Sequence, residues 1–200
     1  MLHQLWSLIL VLAVLDRRSV LLLLAAALPA GGCTSTVVRT EIFDQYASLP
    51  YGLASGDRLR IIVFGQENLS NIYAVDGGGR ISMPLIGPIP VSGKTTAEVE
   101  RAIEAKLKAG FIREPKVTVE IDLYRPFYIL GEVENAGQFP FVNGMTVQTA
   151  VAIAGGFTPR AAKLTAEITR PLPRGVVIGT VPVNYPVRPG DTITIKERWF

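Results

Sequence analysis

Twenty-two of the first 32 residues are apolar, and the run ends at Cys33, the only cysteine among 200 residues. A single cysteine rules out an internal disulfide and any site built from several thiolates. The only histidine, His3, lies in the same apolar leader. Beyond the leader there is then no imidazole, which removes Ser-His-Asp and Cys-His catalysis and every histidine-ligated metal centre. The leader holds two apolar stretches, residues 5–15 and 20–28, around Asp16-Arg17-Arg18. Neither reaches the ~18 apolar residues of a spanning helix. The second has the layout of a secretory signal, with Arg17-Arg18 as the charged region, Leu21-Leu22-Leu23-Leu24 as the apolar centre and Pro29-Ala30-Gly31-Gly32 before Cys33. Residues 1–32 are therefore read as a leader and the chain as exported. Setting the leader aside brings the apolar fraction, 48% overall, to an ordinary globular share. The formal charge of +3 is too small to point to nucleic acid, and no basic stripe is visible.

Cys33 has two readings. Its place after small residues and an apolar run matches a lipoprotein signal, in which the cysteine is acylated and becomes the new N-terminus. Against this, the leucine usual three residues earlier is replaced by Ala30. The other reading is ordinary signal cleavage that leaves a free thiol near the new end. Lipidation is the expectation taken forward, because a spare thiol is a liability in an exported chain. Two acyl chains would anchor the protein firmly. Residues 33–50 then form a lipidated tether.

Two folded units are expected beyond it, 51–124 and 125–200. In the first, Gly56-Asp57 is a turn, and Leu59, Ile61 and Val63 alternate with Arg58, Arg60 and Ile62 as a strand with one buried face. Asp76-Gly77-Gly78-Gly79 lies between Tyr73-Ala74-Val75 and Arg80-Ile81-Ser82-Met83, which predicts a hairpin. Thr95 to Glu98 is a capping box, and Val99, Ile103 and Leu107 form the apolar stripe of a helix ending near Ala109. Residues 116–123 alternate again, with Val117, Val119, Ile121 and Leu123 on one face. Tyr124-Arg125-Pro126 breaks the pattern. In the second unit, strands are predicted at 127–133, 138–142, 166–170, 176–183 and 192–196, with a short helix at 147–154 capped by Thr146. The predicted class is α+β, two small domains, the second with a β-grasp-like order. Gly56-Asp57-Arg58-Leu59-Arg60-Ile61 echoes Gly190-Asp191-Thr192-Ile193-Thr194-Ile195. The simpler reading of that echo is convergent turn chemistry.

No carboxylates form a convincing catalytic pair. Glu132 and Glu134 flank a turn, Asp57 and Asp191 read as turn residues, and Glu120 and Asp122 share the polar face of one strand. No nucleotide fingerprint or metal-ligand spacing is present. The chain is expected to be no enzyme, with no cofactor, no metal and no catalytic residue.

These motifs together resemble the bacterial polysaccharide export proteins of the Wza type. The first unit resembles their export-signature domain, an α/β sandwich, in Gly56-Asp57-Arg58-Leu59-Arg60-Ile61-Ile62-Val63-Phe64-Gly65, in Gly79-Arg80-Ile81-Ser82-Met83-Pro84-Leu85-Ile86-Gly87 and in the helix after Thr95-Thr96. The second resembles a soluble-ligand-binding β-grasp domain in Phe127-Tyr128-Ile129-Leu130-Gly131-Glu132-Val133, in Ala136-Gly137 and in residues 150–158 with Ala154-Gly155-Gly156-Phe157. The resemblance implies a homo-oligomeric ring, lipid-anchored on the periplasmic side of the outer membrane, through which capsular or extracellular polysaccharide leaves. It also implies an inner-membrane co-polymerase, often a tyrosine kinase, as partner. The longest family members carry further β-grasp domains and end in an amphipathic helix that crosses the outer membrane. No segment after Cys33 reads as such a helix, so the expectation is that a separate outer-membrane β-barrel completes the route. The alternative is a periplasmic glycan-binding module that forms no channel, since a fold does not decide a function. Candidate glycan or subunit contacts are Tyr124, Arg125, Tyr128 and Trp199. For Trp199 and Phe200 the simpler reading is packing on their own domain.

Overall fold

In the computed structural model, which describes Phe43, residues 49–172 and residues 175–199, the alternation of Leu59, Ile61 and Val63 becomes strand β1 (Arg58–Val63), with every second residue buried. It is the middle strand of an antiparallel sheet, between β2 (Asn71–Ala74) and β5 (Val117–Leu123). A single 3-10 turn, Glu67–Leu69, leads into β2. β3 (Arg80–Met83) and β4 (Gly87–Pro90) form a two-stranded ladder of their own, and α1 (Thr96–Lys108) follows. The leader, Cys33, residues 44–48 and Phe200 lie outside the described residues. Among the described residues no helix is long and apolar enough to cross a membrane.

The capping box of α1 forms in both directions. Glu98 N–H donates to Thr95 Oγ1 at 3.3 Å, and Thr95 N–H donates to Glu98 Oε2 at 2.8 Å. Val99, Ile103 and Leu107 are fully buried against the sheet, each worth about 1.5–3 kcal/mol of apolar transfer. On the flank of that stripe, Glu100 and Glu104 accept the outward N–H groups of Val119 and Val117, at 2.9 and 3.2 Å. Side chains one helical turn apart thus match amides two strand residues apart. They close an edge that would otherwise offer donors to another chain.

Two local expectations need correction. The Asp76 turn is present, with Gly78 and Arg80 N–H groups both donating to Asp76 Oδ1 at 2.9 Å. The strands on either side of it do not pair as a hairpin, because β2 pairs with β1 and β3 with β4. The chain turns again at Pro84, and this sets Ile81 opposite Ile89 with both buried. Leu85 at that second turn has φ +68° and is 61% exposed. The second correction concerns Leu123, which is exposed although the alternation put it inside. Arg58 pairs with Leu123 while Leu59 pairs with Ile121, so Asp122 is an extra residue, a β-bulge that flips the phase. The bulge turns Asp122 toward Arg58 and Arg60, each at 3.1 Å, rather than leaving it merely solvated.

The second half contains β6 (Phe127–Gly131), β7 (Gly137–Phe139), α2 (Val147–Ile153), β8 (Thr165–Leu172), β9 (Gly175–Pro182) and β10 (Thr192–Ile195). Its sheet runs β7-β6-β10-β8-β9. The first and last strands lie parallel at the centre and a hairpin flanks each, which is the β-grasp order. Thr146 and Thr149 cap α2 reciprocally. Its buried face is Val147, Ala150 and Val151, with Ala154 behind, so small residues let the helix sit close to Ile129, Ile168 and Ile193. Gly131 ends β6 with φ +85°, and a Cβ there would stand 2.1 Å from the Ile195 carbonyl oxygen. Only glycine lets the two central strands meet there. The molecule thus has two hydrophobic cores, one built around Leu59, Ile61 and Ile103 and one around Phe127, Ile129 and Ile193. Just three residues, 124–126, join β5 to β6.

Candidate functional site

The two Gly-Asp turns noticed in the sequence have the same construction. Asp57 N–H donates to the Ala54 carbonyl at 3.1 Å, and Ala54 N–H donates to Asp57 Oδ2 at 2.8 Å. Asp191 N–H donates to the Arg188 carbonyl at 3.1 Å, and Arg188 N–H donates to Asp191 Oδ2 at 2.8 Å. Each preceding glycine has positive φ, +93° at Gly56 and +83° at Gly190. Both aspartates are completely buried.

The remaining acceptor capacity of the two carboxylates is used differently. Asp57 takes the Tyr51 hydroxyl at 2.8–2.9 Å and the backbone N–H of Arg125 at 2.9 Å. Burial pushes the Tyr51 phenol well above its ordinary value, although the nearby Arg125 works the other way, so the hydroxyl keeps its proton and donates. Asp191 takes a bidentate fork from Arg170, Nε at 2.9 Å and Nη2 at 2.8 Å. Burial acts against the Arg170 charge, but the hydrogen bonds and charge of Asp191 outweigh it and hold the guanidinium above its usual range. Arg170 also stacks over Phe43 and Tyr185, 5.4 and 5.8 Å from the ring centroids.

Arg125 joins the two turns. Its backbone N–H goes to Asp57 and its Nε goes to the Pro189 carbonyl at 3.0 Å, one residue before Gly190. A Cβ on Gly190 would lie 2.4 Å from Arg125 Nε, so this glycine makes the room in which the arginine lies. The guanidinium stands 6.0 Å over the Tyr51 ring. Tyr51 meets Tyr124 edge-on at 5.2 Å, and Tyr124 meets Phe141 at 5.3 Å, which carries the aromatic contact from one core to the other. Beside this joint opens a cleft of about 770 Å³. Arg125, Arg170 and Arg188 line it together with Tyr51, Ser92 and Val177, and none of the described lining residues is acidic. Arg188 Nη2 donates to the Leu49 carbonyl at 2.6 Å. Burial, and then the neighbouring Arg170 charge, push the Arg188 guanidinium below its ordinary value.

Of the four candidate contacts from the sequence, Tyr124 and Arg125 come together at the joint. Tyr128 does not join them. Its ring is 42% exposed on the outer face of β6, opposite buried Phe127. Trp199 is 94% exposed among the described residues, contrary to the simpler expectation that it packs on its own domain. Cys33 lies outside the described residues. Tyr51, Arg170 and Arg188 were missed. Arg170 carried a visible signal, because it follows Ala166 and Ile168 in the buried phase of an alternating strand, where an arginine needs a carboxylate.

Comparison with known proteins agrees with this architecture half by half. Residues 45–122 match the family model described as "Polysaccharide biosynthesis/export protein", and residues 126–181 match the "SLBB domain". This protein is a member of the bacterial polysaccharide export protein family. Among its relatives is the exopolysaccharide production protein ExoF of Rhizobium meliloti (strain 1021), 34% identical over 147 residues, covering 68% of this chain and 32% of the relative. Another is the polysialic acid transport protein KpsD of Escherichia coli, 25% identical over 111 residues, covering 54% of this chain and 20% of the relative. The chain therefore spans a third or less of the length of these relatives. In this export protein the boundary between the two matched segments falls at residues 123–125, on the joint itself.

Proposed function

We propose that this export protein is a non-catalytic, ring-forming subunit of a conduit that carries polysaccharide across the cell envelope. The observation that carries the reading is the tandem of an export segment and a SLBB segment on one joined body. The polymer passes through a hydrated lumen, and no bond is made or broken. Cyclic symmetry requires each subunit to present one face to its left neighbour and a different one to its right. Residues 51–124 and 125–200 act as the two domains. Cys33 carries the lipid that holds the ring on the periplasmic side of the outer membrane. An inner-membrane co-polymerase delivers the polymer, and a separate outer-membrane β-barrel completes the exit. Tyr124 and Arg125 serve glycan or subunit contact at the joint, while exposed Tyr128 and Trp199 serve contacts on other faces.

Native mass spectrometry of the full chain, extracted from membranes in mild detergent, tests this directly. The expected result is a diacylated subunit beginning at Cys33 in a closed ring of several copies. A monomer without acyl chains at all concentrations refutes the ring and the anchor together. It favours a periplasmic glycan-binding module instead. A deletion strain complemented with this chain reports export separately, as polymer recovered outside the cell.

A further inference from the structure

We propose that the cleft at the joint is a binding site for a carboxylate-bearing glycan, with Arg125 as its anion contact. The inference rests on the polysaccharide-handling reading above and narrows it to a charge class.

Three observations carry it. The first is the way Arg125 is held. Its Nε is fixed to the Pro189 carbonyl at 3.0 Å, its guanidinium lies over the Tyr51 ring, and Gly190 leaves the space for it. Its two Nη groups have no protein partner among the described residues, and the side chain is only half-buried. A guanidinium fixed at Nε with its far end free is a preorganised fork, and such a fork matches a carboxylate with two parallel hydrogen bonds. Little side-chain freedom is left to lose on binding.

The second observation is the charge around the cleft. Three arginines line it and no described lining residue is acidic. Asp191 is committed to Arg170 and is fully buried. Asp57 is fully buried too, and it meets Arg125 through the backbone amide, not through the guanidinium. Among the described residues the Arg125 charge is therefore not neutralised by an ion pair. Arg125 thus presents an uncancelled positive charge to the cleft, and low-dielectric walls strengthen its attraction for an anion.

The third observation is shape. At about 770 Å³ the cleft is large enough for more than a single small ion. The Ser55 and Ser92 side chains supply hydroxyls for a sugar, while Pro50 and Val177 supply apolar surface for its C–H faces. That combination fits a charged saccharide better than inorganic phosphate.

The test is isothermal titration of the full chain in mild detergent with tri-galacturonate, with its carboxyl-reduced neutral trimer, and with sodium phosphate. The trimer acid should bind, the reduced trimer should bind roughly tenfold or more weakly, and raising the salt should weaken only the acid. Phosphate should not displace the acid at comparable concentration. Arg125→Gln should lose roughly tenfold or more in affinity for the acid, and Arg125→Lys should fall between, because charge remains while the fork is gone. Equal binding of the acid and its reduced form by the unmodified chain overturns the inference, whatever any variant does. So does unchanged affinity in Arg125→Gln, binding of neither trimer, or full displacement by phosphate. None of these results touches the export reading, which fails only if no ring forms or if polymer export is not restored in the complemented strain.

Discussion

Asp191→Ala takes away the counter-ion of an almost completely buried guanidinium. The Arg170 side chain is 3% exposed and that of Asp191 0%. The carboxylate receives two bonds from the Arg170 fork, at 2.9 and 2.8 Å, and a third from the Arg188 backbone at 2.8 Å. Arginine keeps its proton in any protein environment, so the variant must bury an unpaired charge. Removing one partner of such a pair is worth about 3–5 kcal/mol, against a total stability of about 5–15 kcal/mol for a chain of this kind. With a urea slope of about 2 kcal/mol/M the unfolding midpoint falls by roughly 1.5–2.5 M. Arg170→Met should also destabilise by about 3 kcal/mol, since Asp191 then keeps only backbone donation from Arg188. The double variant buries neither charge. Its loss should be close to that of one single variant, giving a coupling of about 2 kcal/mol or more in a double-mutant cycle. The assay is urea unfolding followed by circular dichroism for all four proteins. Losses that simply add, within about 0.5 kcal/mol, would refute the reasoning, because the ion pair could not then be their common source.

Other outcomes follow from the same geometry. Gly131→Ala drives a Cβ to 2.1 Å from the Ile195 carbonyl at φ +85°, and should lower stability by about 3–4 kcal/mol in the same urea assay. Glu100→Ala combined with Glu104→Ala should strip hydrogen-exchange protection from the Val117 and Val119 amides while leaving the Leu59 and Ile61 amides protected. The Thr95 N–H holds the Glu98 carboxyl below its ordinary value, so its contribution is present above the unfolded-state pKa and is lost as pH falls through the folded one. The stability difference between the unmodified chain and Glu98→Gln should therefore be seen near neutrality and close in acid, as read from melting temperatures across pH.

Local pattern carried much of the fold. Leu59, Ile61 and Val63 alternate because one face of β1 is buried, and Val99, Ile103 and Leu107 recur at helical spacing because one stripe of α1 is. Such features depend on neighbours in the chain, and capping boxes span only three residues. What stayed hidden depends on partners far away. The bulge at Asp122 exists only relative to the strand holding Arg58 and Leu59. The exchange of β3 from β2 to β4 was decided by burying Ile81 against Ile89, a choice that turn chemistry alone does not make. The joint is further still from legibility. Arg125 reaches Asp57 across 68 positions and Pro189 across 64. The repeated Gly-Asp pair was visible as an echo, but its reading as bare turn chemistry omitted that both turns close on one arginine.

That arrangement explains why two different folds can be joined by so short a connection. Three residues between β5 and β6 cannot act as a flexible linker, so the relative setting of the cores has to come from contacts. Each Gly-Asp turn satisfies its own backbone in the same way, which makes each a rigid local unit independent of the other. Asp57 then needs only neutral donors, because Tyr51 and the Arg125 amide fill it. Asp191 instead neutralises the arginine that β8 places in its own core. With both carboxylates satisfied internally, the Arg125 side chain is left to bridge by main-chain geometry rather than by ion pairing. Its charge is therefore held in place without being cancelled, and the contact that orients the two halves is the same one that leaves a cation facing the cleft between them.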